Sequence, residues 1–383
     1  MTFEFATAGR ILFGRGSSRQ VPALARGFGR RALVVLGGSG RGGEALTQGL
    51  GDAGVGSLVF NVSGEPTTHL VDRATGIARS EGCDLVIALG GGSVIDAGKA
   101  VAGLLANPGA ALDYLEVVGA GRPLREPGVP FLALPTTAGA GAEATRNAVL
   151  GVPEQGVKAS LRSPHLLPRL AVVDPELTRS LSPEVTAATG MDALTQLIEP
   201  FVSNAANPFT DGVCREGLAR VARSLAAAHR DGSDLAARED MALAALFGGV
   251  ALANARLGAV HGFAAVLGGT TGRAHGALCA RLLPFVMGAN IRALEGRGER
   301  ATLGRYTEIA RLLTADPEAD ARDGVSWVHL RCAEMKIPPL REAGLSGADC
   351  GRIIPLARRA SSMKGNPVAL SDEELGGILE AAL

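Results

Sequence analysis

The sequence has no surplus of either charge. Its 38 Lys and Arg balance its 38 Asp and Glu, so no net field gathers nucleic acid or an acidic membrane surface. Lysine itself is rare: only Lys99, Lys158, Lys336 and Lys364 are present, which makes each one worth placing. None of the five cysteines (Cys83, Cys214, Cys279, Cys332, Cys350) stands in a CxxC pair. Such an odd, dispersed set excludes a disulfide framework or a zinc ribbon and implies buried thiols in a reducing compartment. The N-terminal Met1-Thr2-Phe3-Glu4-Phe5 lacks the basic-then-apolar order of a signal peptide. No unbroken run of about 18 apolar residues is available to span a membrane. The expected protein is cytoplasmic, with no nucleic-acid or membrane partner. Aromatic residues are also scarce, at 4%.

What is abundant is small and apolar. Hydrophobic residues make up 46% of the chain and glycines number 53, so backbone can approach backbone or a ligand closely. A length of 383 residues exceeds one ordinary core and predicts two domains. Short apolar runs at 31–36, 57–60, 84–89, 130–134 and 170–173 read as buried strands. They alternate with the helical periods at 44–53, 70–80 and 94–106, which predicts a parallel sheet covered on both faces. Residues 3–14 alternate apolar and polar and read as an edge hairpin, which a second subunit would cover in a homodimer. After Leu177 no strand is predicted. Ser182-Pro183-Glu184 has the capping hydroxyl, Pro and acid of a helix start. Helices are expected near 207–229, 233–256, 275–296, 301–314 and 318–335, and from 371 to 383. The expected architecture is an α/β domain over 1–178 with a Rossmann-like parallel sheet, and an all-α domain over 179–383.

Three glycine-rich turns follow predicted strands. Gly38-Ser39-Gly40-Arg41-Gly42-Gly43 fits G-x-G-x-x-G, a weak match in so glycine-rich a chain. Gly90-Gly91-Gly92-Ser93-Val94-Ile95-Asp96 opens a helix whose bare amides suit a pyrophosphate. Pro135-Thr136-Thr137-Ala138-Gly139 adds hydroxyls for a ribose or phosphate. Three such loops at the carboxyl ends of parallel strands are where a nucleotide is expected, although each alone is also an ordinary tight turn. In the second half, Asp192 and Gln196 are spaced i, i+4 on one helix face. With His261 and His275 they form a carboxylate, amide and imidazole set able to hold Zn²⁺ or Fe²⁺. The bland alternative is a packed His261 and a helix-start His275. Lys158 is either a solvated charge or a group reaching a ribose or phosphate.

Taken together and in order, these motifs resemble the iron-containing (group III) alcohol dehydrogenases, with maleylacetate reductases and the dehydroquinate-synthase-like fold as wider relatives. The resemblance covers nearly the whole chain. It rests on residues 90–96, Pro135-Thr136-Thr137-Ala138-Gly139 with Glu143, and Val173-Asp174-Pro175-Glu176-Leu177. It continues through Gly190-Met191-Asp192-Ala193-Leu194, His261-Gly262, His275-Gly276 and Asn366-Pro367. It implies an NAD(P)-dependent alcohol dehydrogenase or aldehyde reductase acting on a small alcohol or carbonyl compound. By the resemblance, Gly91, Gly92 and Ser93 hold the pyrophosphate, Asp96 lies near the nicotinamide, Thr136 and Thr137 border the adenosine and phosphates, and Lys158 reaches the nicotinamide ribose. Asp192, Gln196, His261 and His275 map onto the metal site, with Asp192, His261 and His275 as the catalytic set.

Departures from the family pattern are informative. Gln196 stands where the family usually has His, and Ala265 where its dehydrogenases often place another His to relay a proton. Gly37, with Gly38, Ser39 and Arg41 following, stands where NAD-preferring members carry Asp, so a 2′-phosphate is not repelled and NADP(H) is expected to be accepted alongside NAD. Val266-Leu267-Gly268-Gly269 looks like the maleylacetate reductases, which leaves an acidic oxo substrate as an alternative, with Lys364 as the cation for it. A lyase on the same fold, and a cofactor-binding homologue without turnover, are the remaining alternatives.

Overall fold

The computed structural model describes residues 2–383, which divide into two compact units. One holds Thr7–Thr137 and Gly141–Thr178. The other holds the residues up to Ala6, Ala138–Ala140 and Arg179–Leu383.

The first unit is built on strands β1 (Ile11–Phe13), β2 (Arg31–Gly37), β3 (Gly56–Val62), β4 (Leu85–Gly90), β5 (Phe131–Pro135), β6 (Asn147–Val152), β7 (Val157–Arg162) and β8 (Leu170–Val173). Its helices are α1 (Val21–Ala25), α2 (Gly43–Asp52), α3 (Thr68–Ser80), α4 (Gly92–Ala106) and α5 (Ala111–Tyr114). Six strands form an all-parallel sheet in the order β1-β8-β5-β4-β2-β3. Every residue of β4, β5 and β8 is buried, which is why these strands read as unbroken apolar runs and not as alternations. The chain runs from β2 to β3 on one side and then to β4 on the other. The order therefore reverses between β2 and β4, and the carboxyl ends of those two strands frame the crevice where open α/β sheets take ligands.

Two features of this unit differ from expectation. Residues 3–14 form no hairpin: β1 pairs in parallel with β8, Leu12 opposite Val172. The preceding segment instead leaves the sheet, and the Ala6 amide donates to Asn254 Oδ1 at 2.5 Å within the helical unit. The apolar alternation of Phe3 and Phe5 serves packing on Phe209, with ring centroids 5.6 and 5.2 Å away. An unforeseen antiparallel ribbon, β6 on β7, also appears, with Gly151 opposite Lys158.

The second unit is helical: α6 (Pro183–Val202), α7 (Pro208–Arg230), α8 (Leu235–Asn254), α9 (Ala259–Thr271), α10 (His275–Arg297), α11 (Arg300–Thr314), α12 (Ala321–Glu334), α13 (Cys350–Arg359) and α14 (Asp372–Ala382). The α6 start follows its sequence signal: Ser182 Oγ accepts the Val185 amide and Pro183 occupies the first turn. From Gly190 to Val202 every α6 residue is buried, so this is a central helix, apolar all round apart from a few polar side chains. By length and composition α10 could cross a membrane, although 72% of its most apolar window is buried inside the fold. Its hydrophobicity is that of a core helix.

Candidate active site

The polar residues of α6 are the exceptions to its apolar character, and they share a face. Asp192, Gln196 and Glu199, spaced i, i+4 and i+7, are all buried. Burying so much polarity is costly unless each group is paired or held for a ligand. Glycines let the other helices reach this face. A Cβ on Gly276 would lie 2.3 Å from the Ala188 carbonyl oxygen, and one on Gly258 would lie 2.8 Å from Glu199 Oε1. The His275-Gly276 pair is thus explained: the imidazole arrives at α6 because the next residue has no side chain.

His261 Nε2 lies 3.5 Å from Asp192 Oδ1, and His275 Nε2 lies 4.0 Å from the same oxygen. Cys279, one turn beyond His275 on α10, sets its Sγ 3.5 Å from His275 Nε2. One donor atom each from Asp192, His261, His275 and Cys279 falls within 4.8 Å of all the others. Among the described residues this is the one such group of three or more His, Cys, Asp or Glu. Asp192 Oδ1 is buried with no hydrogen-bond partner.

Glu199 completes the arrangement from behind. Its Oε2 lies 2.6 Å from His261 Nδ1, and its Oε1 accepts the Val260 amide at 2.7 Å. Asn366 Oδ1 accepts the Ala259 amide, while Asn290 and Asn366 bond each other's side chains and Asn290 also donates to Tyr306. The carboxylate fixes the proton on Nδ1 and turns Nε2 toward Asp192, as outer partners do for metal-binding imidazoles. Burial alone would push the His261 pKa down, but Cys279, Glu199 and Asp192 outweigh it and raise it well above the usual histidine value. Burial would likewise push Asp192 up, yet the neighbouring His261 and His275 imidazoles hold it below the usual carboxylate range.

Gln196 is buried on the same face, but its Nε2 reaches the Gly139 carbonyl at 3.4 Å and its Oε1 has no partner. Cys279 and Glu199 had no role in the sequence reading. Their signals were the i, i+4 spacing from His275 and the i+7 spacing from Asp192.

In the α/β unit, Gly37 ends β2 and Gly38 and Ser39 begin the exposed turn that also carries Arg41. Gly91 and Gly92 open α4 directly after β4, with no side chain capping the helix. The Val94 and Ile95 amides bond the Gly91 carbonyl. A Cβ on Gly91 would lie 3.3 Å from Thr137 Cγ2, so the glycine keeps open the cradle that Ser93 and Thr137 border. The Thr136 amide donates to the Gly90 carbonyl at 3.0 Å and ties the second and third loops together.

Asp96, in the first turns of α4, is engaged by the protein itself. Its Oδ2 accepts the Val149 amide at 3.0 Å and its Oδ1 lies 3.5 Å from Lys99 Nζ. The fully buried Lys99 also donates to Thr145 Oγ1 at 2.7 Å and the Asn147 carbonyl at 2.8 Å. This buried pair fastens the β6–β7 ribbon to α4. Burial lowers the Lys99 pKa and raises that of Asp96, and it pushes Glu143 up to about 7. Lys158 Nζ, on β7, pairs with Glu65 Oε1 at 3.1 Å.

The donor chemistry fits a divalent cation. An oxygen, two imidazole nitrogens and a sulfur converge, and the unpaired Asp192 oxygen is a cost that a cation would offset. The α4 end fits a pyrophosphate, because a helix start without a side-chain cap, a helix dipole and a glycine floor coincide there.

Comparison with known proteins agrees with both halves of this description. Residues 8–175 match the family described as Iron-containing alcohol dehydrogenase, and residues 186–383 match the Fe-containing alcohol dehydrogenase family, C-terminal. Choline dehydrogenase of Bacillus subtilis (strain 168) is 32% identical over 377 residues, covering 97% of this chain and 92% of that protein. A 1,3-propanediol oxidoreductase crystal structure superposes with a TM-score of 0.93 at 30% identity, over 100% of both chains. The sulfoacetaldehyde reductase from Bifidobacterium kashiwanohense in complex with NAD+ gives 0.88 at 28% identity, over 99% of this chain and 98% of that one. The chain belongs to the iron-containing alcohol dehydrogenase family and is an NAD(P)-dependent oxidoreductase acting on CH–OH groups.

Proposed function

We propose that the chain interconverts a small alcohol and its aldehyde or ketone at the Asp192, His261 and His275 cluster, with a divalent metal present. The observation that carries this reading is the convergence of these donors within 4.8 Å around a buried, unpaired carboxylate oxygen. When bound, the ion supplies Lewis acidity, polarising the substrate oxygen and stabilising the charge that develops on it. A nicotinamide held by the α/β unit would supply or accept the hydride.

The chain's own groups do the rest. Glu199 fixes the His261 tautomer so that Nε2 faces inward. Asp192 supplies the negative charge of the cluster, which favours a cation there. His275 is the most exposed of the four donors, its side chain 40% accessible, so water and protons enter beside it. Ala265, on α9, has no exchangeable proton to add.

The α/β unit (1–178 in this reading) binds the dinucleotide. Gly91, Gly92 and Ser93 receive the pyrophosphate on the α4 amides, and Thr136 and Thr137 border it. Gly37, Gly38 and Ser39 end the neighbouring strand without a carboxylate. That absence, with Arg41 in the same turn, supports NADP(H) being accepted alongside NAD. Asp96 and Lys158 act at the nicotinamide side through the β6–β7 ribbon that they position. The reading includes a cytoplasmic location, supported by five free cysteines of which four are buried. It also includes a homodimer, supported by the exposed aromatic patch of Phe3, Phe5 and Phe209.

The relatives named above act on choline, 1,3-propanediol and sulfoacetaldehyde, so the fold alone does not select the substrate. Lys364, the cation expected for an acidic substrate, is exposed in the turn Ser362–Gly365, and a neutral short-chain substrate is the better fit. The test is a panel of short aldehydes and oxo-dicarboxylates, followed by NAD(P)H absorbance with metal-loaded and chelator-treated protein. Neutral aldehydes turned over only by the loaded protein support the reading. A preference for dicarboxylates, or full activity after metal removal, overturns it.

A further inference from the structure

We propose that Cys279 is a metal ligand in this chain, so that the centre is a mixed oxygen, nitrogen and sulfur site formed by Asp192, His261, His275 and Cys279. The inference rests on the metal-assisted reading above and adds a donor to it.

His275 and Cys279 are one turn apart on α10 and present their donor atoms together, with Sγ 3.5 Å from Nε2. Cys279 Sγ is within 4.8 Å of the donor atoms of Asp192, His261 and His275. Asp192 Oδ1, unpaired and nine-tenths buried or more, is aimed into the same space. Gln196, on the same α6 face, has turned its amide nitrogen to the Gly139 carbonyl, and a neutral amide oxygen is a weaker donor to a transition metal than a thiolate. The chemistry selects a borderline-to-soft divalent cation such as Zn²⁺ or Co²⁺. On binding, the sulfur–metal bond forms and the S–H proton leaves to solvent. The alternative role for Cys279 is a small apolar residue of the helical core, since its side chain has no solvent exposure.

Cobalt reports on this directly. Full-length apoprotein is loaded with one equivalent of Co²⁺, and its ultraviolet spectrum is examined for a thiolate-to-cobalt charge-transfer band. The expected result is stoichiometric binding with that band in the natural protein. Cys279→Ser should lose the band and bind Zn²⁺ at least about tenfold more weakly, because even outer partners of a ligand cost that much. Cys332→Ser should keep the band, as Cys332 lies outside the cluster. Stoichiometric Co²⁺ without the band overturns the cysteine ligand and leaves the dehydrogenase reading standing. Failure to bind Co²⁺ at all, with aldehyde reduction intact after chelation, overturns both the ligand and the metal-assisted mechanism. The natural protein's spectrum decides the matter even if the serine variant does not fold.

Discussion

Glu199 Oε2 lies 2.6 Å from His261 Nδ1, and the same carboxylate holds the Val260 amide through Oε1. One buried acid therefore sets both the ring orientation of His261 and the first turn of α9. An amide in its place cannot accept at both positions with the same strength. Glu199→Gln is expected to lower metal affinity by about 10- to 100-fold, the usual effect of removing an outer partner of a histidine ligand. Competition with a metallochromic chelator measures it. Unchanged metal affinity in the folded variant would show that His261 needs no such partner.

Two adjacent glycines should separate binding from stability. Gly91 has an ordinary backbone conformation, φ −73°, and an added methyl would press on Thr137 at 3.3 Å. Gly91→Ala should therefore fold and bind NAD(P)H at least about tenfold more weakly, equivalent to roughly 1.4 kcal/mol. Gly90→Ala would place its methyl 2.6 Å from Val94 Cβ and Cγ2, and should cost about 1–3 kcal/mol of stability, as overpacking does. Calorimetric titration and thermal unfolding of the two variants check this contrast.

Cofactor choice should respond at the end of β2. A Cβ on Gly37 would meet only Val94 Cγ2 at 3.7 Å, so an acid is accommodated there. Gly37→Asp would repel a 2′-phosphate and accept a ribose 2′-hydroxyl. The ratio of kcat/KM for NADP to that for NAD should fall by about tenfold or more, the effect of some 1.4 kcal/mol. An unchanged ratio would place the adenosine ribose elsewhere.

Glu143 gives the α/β unit a pH dependence. Burial raises its pKa from 4.5 to about 7 in the folded chain. Between those values the folded state holds a proton that the unfolded state has lost. Its contribution to stability is thus fully present below pH 4.5 and is lost as pH rises through 7. Glu143→Gln should remove that slope, read as hydrogen-exchange protection of the β4 and β5 amides at pH 5 and 8. Parallel profiles for the variant and the natural protein would contradict it.

The sequence was most legible where burial is one-sided and simple. Four of the five apolar runs are β2, β4, β5 and β8, because a buried parallel strand carries few polar residues; the fifth is the edge strand β3, of which only Phe60 and Val62 are buried. The β6–β7 ribbon is not legible because its strands are only half-buried, with Gly151 and Pro153 reading as loop. Helix α9 was missed because Gly262, Gly268 and Gly269 interrupt its period. The hairpin expected at residues 3–14 fails for a different reason: an alternation of Phe3 and Phe5 does not say what their rings pack on, and both rest on Phe209 while staying exposed. Asp192, His261 and His275 were recognisable as chemistry-bearing types in a known order. Cys279 was not, since a buried cysteine on an apolar helix looks like core until the fold brings α10 against α6.

The most direct test of the central claim is aldehyde-dependent oxidation of NAD(P)H by metal-loaded protein, natural and Asp192→Ala, with cofactor affinity measured alongside. The structure predicts turnover in the natural protein and a loss of at least about a hundredfold in kcat/KM in the variant, the lower end of what one positioned catalytic group contributes, with cofactor binding retained. Equal kcat/KM in the two proteins would contradict the placement of the reaction at the α6 cluster.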